Sequence, residues 1–401
     1  MKAPRKFDAL PDSYRGREQT FIKHVILKRY LERVARNILW SYPEFVFVDG
    51  FSGPWASRSG GYEDTSFGIA MRILRQVRDE LKAEHHRDRR VRCVFVEKHA
   101  SAFDRLAAAV NAATYIEARA IPGRFEDCVD EVCKEIGSAF ALISIDPKGW
   151  SFDLRRLGPL LRHRPSEVLI SFMYDHVNRF LDDARPEIRA SYILPFGDPN
   201  WRMRFDSLRG SGLSREDAVL ELFREQVRTV GKFNHVLSAR ILRPTSDRSH
   251  FYLVYGTRSS KGLIEFRNVE KKAIEAEELS RIEAKHDKRA SRSRQGLLPL
   301  YSPRSLLELR RPEIEKAGSW LRQQLSLPRS FSYPEALASV LERFSVNETE
   351  LKGLLVHRRI RLIHFHCRAQ GRNQVGDQRQ VPGAALDESF ERAFVLVGRK
   401  R

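Results

Sequence analysis

Between residues 20 and 172 the apolar positions switch back and forth between two spacings, and that alternation predicts the architecture. From Thr20 to Trp40, Ile26, Leu27, Tyr30, Leu31, Val34, Ile38 and Leu39 recur at helix spacing. Lys23, Lys28, Arg29, Arg33 and Arg36 take the opposite side, which reads as a solvated face. Phe45 to Asp49 is a short aromatic and β-branched run ending in an acid and a glycine turn, the mark of a buried strand. A polar loop from Ala56 to Thr65 leads to a helix through Phe67, Ile69, Ala70, Ile73 and Leu74. Val91 to Val96 predicts a second strand ending at Glu97, and Ala100 to Val110 a helix. Tyr115 to Ala118 predicts a third strand, with a helix from Phe125 to Ile136. Phe140 to Ile145, which ends at Asp146, and Glu167 to Phe172 complete the series. Strands alternating with helices at this pitch form a mostly parallel sheet covered on both faces.

The alternation then stops. A charged, proline-bearing stretch, 182–213, reads as a helical insertion and is followed by a helix from Arg215 to Val230. His235 to Leu242 and Ser249 to Tyr255 read as two strands joined by a turn. A βα array closed by an antiparallel hairpin is the layout of the Rossmann-like S-adenosylmethionine-dependent methyltransferase fold. The organisation expected is an N-terminal helical cap over 1–44, the α/β domain over 45–268, a basic helix and linker over 269–311, and a C-terminal domain over 312–401. Lys271, Lys272, Lys285, Lys288, Arg289, Arg292 and Arg294 mark the basic segment. Beyond it, Ile314 to Leu325, Tyr333 to Phe344 and Glu348 to Arg359 are helical patterns, the last opened by Asn347 and Glu350 at capping-box spacing. Ile360 to Phe365 and Phe394 to Val397 flank a basic loop, Arg368 to Arg379. Helices followed by a basic β-wing suggest a winged helix, and a small helical packing domain is the competing reading.

Composition narrows the partners. The chain has 401 residues, enough for more than one domain, and a formal charge of +19, an excess that usually serves a polyanion. Nucleic acid is the leading candidate. No stretch approaches the roughly 20 apolar residues of a spanning helix, so no membrane role is expected. Met1 to Lys6 is not followed by the apolar core of a secretion signal. Cys93, Cys128, Cys133 and Cys367 form no C-x-x-C pair, which points to a reduced, cytoplasmic protein without a disulfide framework or zinc ribbon.

Four blocks together resemble the three-Cys-motif partner proteins. They are Lys23-His24-x-x-Leu27-x-x-Tyr30-Leu31, Val48-Asp49-Gly50-Phe51-Ser52-Gly53-Pro54, Ile145-Asp146-Pro147-Lys148-Gly149-Trp150, and Tyr252-Leu253-Val254-Tyr255-Gly256-Thr257-Arg258 with Lys261-Gly262-Leu263. The resemblance implies a methyltransferase-like fold and association with a separate cysteine-motif protein. Trp55 stands where that family tends to carry a glycine, so its ring either crowds the cofactor's methionine end or packs outward as a lid.

In the methyltransferase reading each strand tip has a task. Asp49 with Gly50, Phe51, Ser52 and Gly53 would cradle the amino-acid end of S-adenosylmethionine, since glycine permits close backbone approach. Glu97 would accept the ribose hydroxyls, and Glu126 or Asp127 would meet the adenine amino group. Asp146-Pro147-Lys148-Gly149-Trp150 is similar to the Asp-Pro-Pro-aromatic motif of amino-group methyltransferases, with Lys148 in place of the second proline and Gly149 displacing the ring by one position. Asp146, Pro147 and Trp150 are therefore the catalytic candidates, holding an exocyclic amine and stacking on an extruded base. Two other readings stand beside this one. Asp49, Glu97 and Asp146 at neighbouring tips would also suit a Mg²⁺-dependent nuclease. A degenerate fold that only binds nucleic acid or a partner is the other. His24, His99 and His176 read as structural, His364-x-His366 as a weak metal pair, and Arg179 and Arg258 as cations on the cofactor side, placed for phosphate or for Asp146 or Asp175.

Overall fold

The computed structural model describes residues 10–53, 57–149, 152–290, 304–326, 331–357, 362–364 and 394–396. The chain divides into two units, 1–303 and 304–401. In the first, α1 (Glu18–Ser41) leads into β1 (Glu44–Asp49), α2 (Ser66–His85), β2 (Arg90–Glu97), α3 (Ala100–Ala112) and β3 (Glu117–Pro122). Then follow α4 (Val129–Ile136), β4 (Phe140–Ile145), α5 (Gly158–Leu161) and β5 (Ser166–Phe172). The insertion supplies α6 (Tyr174–Phe180), α7 (Pro186–Ser191), α8 (Ile193–Phe196) and α9 (Trp201–Gly210). α10 (Arg215–Gly231), β6 (His235–Leu242), β7 (Ser249–Thr257) and α11 (Ser260–Ala290) complete the unit.

The strands form one sheet in the order β3-β2-β1-β4-β5-β7-β6, parallel except that β7 runs antiparallel to both β5 and β6. This is the Rossmann-like methyltransferase sheet that the sequence pattern predicts. Every residue of β4 and β5 is buried, as central strands covered on both faces require. Two boundaries move. The third strand begins at Glu117 because Tyr115 is a surface ring under the Arg75 guanidinium, and Ile121 is the residue that points into the core. The helix expected from Phe125 opens with a 3-10 turn, Phe125–Asp127, before α4.

The basic segment expected to begin at residue 269 is not a separate element. α11 runs unbroken through that point and packs on α1. Its cations alternate with buried Ala273, Ala276 and Ala284, and its buried Arg267 donates to the Ser238 carbonyl (3.1 Å) and to Glu270 (2.6 Å).

A buried polar knot ties α1, β5, β7 and α11 together. Glu167 accepts from Tyr30 Oη at 2.6 Å and from Thr257 Oγ1 at 2.9 Å, while the Tyr30 and Tyr255 hydroxyls lie 2.5 Å apart. Burial pushes the Glu167 carboxyl up. A Cβ at Gly262 would collide with Glu167 and Tyr255, so only glycine lets α11 approach this knot. The matching blocks around Tyr30, Tyr255 and Gly262 thus have a packing task.

Arg258 departs from its expected place. Because β7 is antiparallel, its end arrives at the N-terminal edge of the parallel strands, away from their acidic tips. There the Arg258 guanidinium donates to the carbonyls of Leu161 (2.7 Å), Ser166 (3.2 Å) and Gly231. Asp175, offered as a partner for Arg179 or Arg258, is instead engaged by Arg243 (2.8 Å) and His250 (3.1 Å).

In the second unit, α12 (Leu306–Ser326), β8 (Phe331–Ser332), α13 (Tyr333–Arg343), α14 (Glu348–His357), β9 (Leu362–His364) and β10 (Phe394–Leu396) follow in order, with sheet order β8-β10-β9. α12 starts before Ile314, within the stretch read as linker, and carries Pro312 within it. The predicted cap at Asn347 is present: Asn347 Oδ1 accepts from Glu350 N at 3.0 Å, and Glu350 Oε2 accepts from Asn347 N at 2.9 Å. Buried Arg310 grips the same Glu350 through two nitrogens, at 2.6 and 2.7 Å. The loop 368–379, His366 and Cys367 lie outside the described residues. Among the described residues, Cys93, Cys128 and Cys133 are free thiols, and no helix is long and apolar enough to cross a membrane.

Candidate active site

A cleft of about 390 Å³ opens at the carboxyl ends of β1, β2 and β4, within the size range of small-molecule sites. Its lining brings together Gly50, Phe51, Gly53, Glu97, Glu126, Asp146 and Pro147 from the predicted set.

The loop after β1 is built by continuing the sheet's hydrogen bonds past the strand. Gly50 N donates to the Ser144 carbonyl and Ser52 N to the Val96 carbonyl, each at 3.0 Å. Asp49 faces inward, not toward a ligand. Its Oδ1 accepts from Phe51 N (3.0 Å), its Oδ2 from Ser66 Oγ (2.5 Å), and its carbonyl from Ser52 Oγ (2.8 Å). Burial pushes the Asp49 carboxyl up to about 6, against the pull of these donors. Asp49 and Ser52 therefore shape the loop, and Gly50, Phe51 and Gly53 present it. A side chain at position 50 would overlap the Phe125 ring, which meets Phe51 edge to face at 6.0 Å.

At the tip of β2, Glu97 is 4% exposed and its Oε1 accepts from His99 N at 2.7 Å, which fixes the carboxylate at the cleft wall. Glu126 is buried beside it and Phe125 closes the floor. Asp127 lies outside the cleft: the 3-10 turn swings it to the surface, where it pairs with Arg156 at 2.7 Å. Of the two adenine candidates, Glu126 is the one in position.

At the tip of β4, Asp146 forms an ion pair with Lys23 of α1. Burial opposes its ionisation, but Lys23 and the Ser171 hydroxyl hold the Asp146 carboxyl below its usual range. Lys148 joins the cleft wall, and Gly149, at φ +88°, packs near His176. Trp150, like Trp55, lies outside the described residues.

Three participants escape the sequence reading. Lys23 lies on a face that reads as solvated, although Lys23-His24 opens the first of the matching blocks. Arg17 and Asp64 carry no periodic signal at all. Asp64 accepts from Arg17 Nη2 (2.6 Å), Ser57 Oγ (2.6 Å), Arg58 N (2.9 Å) and Ser59 Oγ (2.9 Å), and so pins the polar loop to the start of α1. Although burial opposes it, these donors hold the Asp64 carboxyl far below the usual carboxylate range.

The carboxylates do not form a metal centre. Among the described residues no group of three His, Cys, Asp or Glu side chains is placed to hold an ion, because Asp49 is spent on its own loop and Asp146 on Lys23. The nuclease reading loses its triad.

His24 is structural, as expected: it is buried and its Nδ1 lies 2.8 Å from Tyr14 Oη. Burial, reinforced by Lys23, pushes its pKa down to about 3. An unfolded histidine near 6.5 takes a proton that the folded one refuses, so this group's contribution is lost as pH falls below about 6.5. At pH 5 the loss amounts to about 2 kcal/mol. Asp49 works the other way, its folded form gaining stability as pH falls through about 6. Comparing urea unfolding of the wild type with His24→Gln isolates the histidine. The wild type should lose about 2 kcal/mol more than the variant between pH 7 and pH 5; parallel losses would show that His24 is protonated in the fold.

No protein-family model and no curated relative matches the chain. Among solved structures, the O-methyltransferase TomG from Streptomyces achromogenes, involved in tomaymycin synthesis and in complex with SAM, aligns at 14% identity and a TM-score of 0.31 over 58% of this chain and 79% of its own. Loganic acid methyltransferase with SAH aligns at 11% identity and a TM-score of 0.29 over 71% of this chain and 92% of its own. Superpositions this loose add nothing to the fold; that rests on the order of the strands and the antiparallel β7.

Proposed function

We propose that the protein is an S-adenosylmethionine-dependent methyltransferase that modifies an amino nitrogen of a nucleic acid and works beside a three-Cys-motif partner. The observation that carries the cofactor is the cleft itself: a glycine loop that a single Cβ would block, Glu97 fixed at the next strand tip, and Phe125 with Glu126 at the third. Gly50, Phe51 and Gly53 would hold the amino-acid end, Glu97 the ribose hydroxyls and Glu126 the adenine edge. When bound, the cofactor supplies an electrophilic methyl group on a sulfonium sulfur.

The acceptor is argued from Asp146. Kept ionised by Lys23, it accepts an N–H and repels a carboxylate acceptor, while Lys23 holds it at the cleft wall. Lys98, Arg124 and Lys148 line the same cleft and, with the formal charge of +19, support a polyanionic substrate. The partner rests on the resemblance of the four sequence blocks. Titration calorimetry with S-adenosylhomocysteine should show one site per chain, and labelled methyl groups should pass to nucleic acid when the partner is present. A protein that binds no cofactor product would be a binding module instead.

A further inference from the structure

A second cavity, of about 950 Å³, lies at the opposite, N-terminal edge of the sheet. Trp40 and Tyr42, at the end of α1, line it and are 47% and 41% exposed, unlike most large apolar side chains of this unit. The Arg87 guanidinium sits 4.3 Å from the Trp40 ring centroid. Arg164, Arg258 and Lys261 line the same cavity. Among the described residues none of these three cations has a carboxylate partner, and Arg258 Nε is buried without a hydrogen bond. Burial and the neighbouring Arg164 charge lower the Arg258 pKa to about 10.

Among the described residues, the two acids that line the cavity form no ion pair with these cations. Both Glu167 oxygens are taken by Tyr30 and Thr257, and Glu265 is paired with Arg33. Guanidinium groups held near one another without an anion cost free energy in the fold, and an incoming phosphate offsets that cost. The exposed rings that line the same cavity provide stacking surfaces for a base. We propose that this groove binds a nucleotide unit, with its phosphate at Arg164 and Lys261 and its base against Trp40 and Tyr42, at a site separate from the cofactor cleft. The unit is either a free nucleotide or part of a single strand. Methyl transfer is not required for binding at this groove.

The full chain is titrated at low salt with a fluorescein-labelled short oligothymidylate, read by anisotropy, and with uridine monophosphate, read by calorimetry. The wild type should bind the oligomer. Arg164→Glu with Lys261→Glu should weaken it at least about tenfold and make the slope of log affinity against log salt shallower by about 0.7, the value for one phosphate contact to a single strand. Trp40→Ala should weaken it by about tenfold through lost stacking. Urea unfolding midpoints of the same variants, equal to that of the wild type, show that the sheet is intact. Uridine monophosphate binding as tightly as the oligomer, and losing affinity in the same variants, supports the site with a free nucleotide as its source. Variants that keep wild-type affinity and salt slope, or a wild type that binds neither probe, overturn it.

Discussion

Gly50→Val should remove detectable binding of S-adenosylhomocysteine and lower stability by about 1–3 kcal/mol, the range for overpacking a close-packed site. The cause is steric. Even the first carbon of a side chain at this position overlaps the Phe125 ring, and that ring is backed by Phe51 and by the core at Val129 and Val132. Phe125 can yield only toward the cleft whose floor it forms. Calorimetry would measure the lost binding and urea unfolding the stability. Adding Phe125→Ala should restore part of both, because it removes the atoms in conflict. A single variant that binds like the wild type would mean that the loop after β1 does not touch the ligand.

Glu97→Ala should weaken the same ligand by about 100-fold or more. Two hydroxyl groups bonded to one carboxylate contribute about 1.5–3 kcal/mol each, and the side chain is too buried for water to replace it cheaply. Because Glu97 Oε1 also accepts from His99 N, alanine disturbs the start of α3 as well. Glu97→Gln separates the two effects: the amide oxygen keeps the backbone bond while the charge is lost, and affinity should fall by about tenfold. Equal affinity in the wild type and Glu97→Gln would remove Glu97 from ribose recognition and leave it only the backbone bond at the start of α3.

The sheet was legible in the sequence because central strands must be apolar on both faces, and runs such as Phe140 to Ile145 have no other stable place. The tips were legible for a related reason: an acid directly after such a run must stand at the end of the strand. What a tip residue faces was not. Asp49 and Glu97 carry the same chemistry, yet one is bent back by Ser66 and Phe51 N while the other stays on the cleft wall. Lys23 shows a second limit. A lysine on the polar side of a helix looks the same whether it meets water or an aspartate 123 positions away. Arg258 shows a third, since its placement depended on strand direction and β7 runs against its neighbours.

The helix that opens the first unit has a consequence for where the chain can be divided. Lys23 and Trp40 are 17 residues apart on α1, a span of about 26 Å along a rigid rod. One end of the rod holds the acid at the cleft beyond the strand tips, the middle enters the Tyr30 knot, and the far end carries the rings of the second groove. The N-terminal helical cap that the hydrophobic pattern predicts is the keel of the unit. A chain begun at residue 45 would leave Glu167 without Tyr30, Asp146 without its counter-ion and α11 without the surface it packs on.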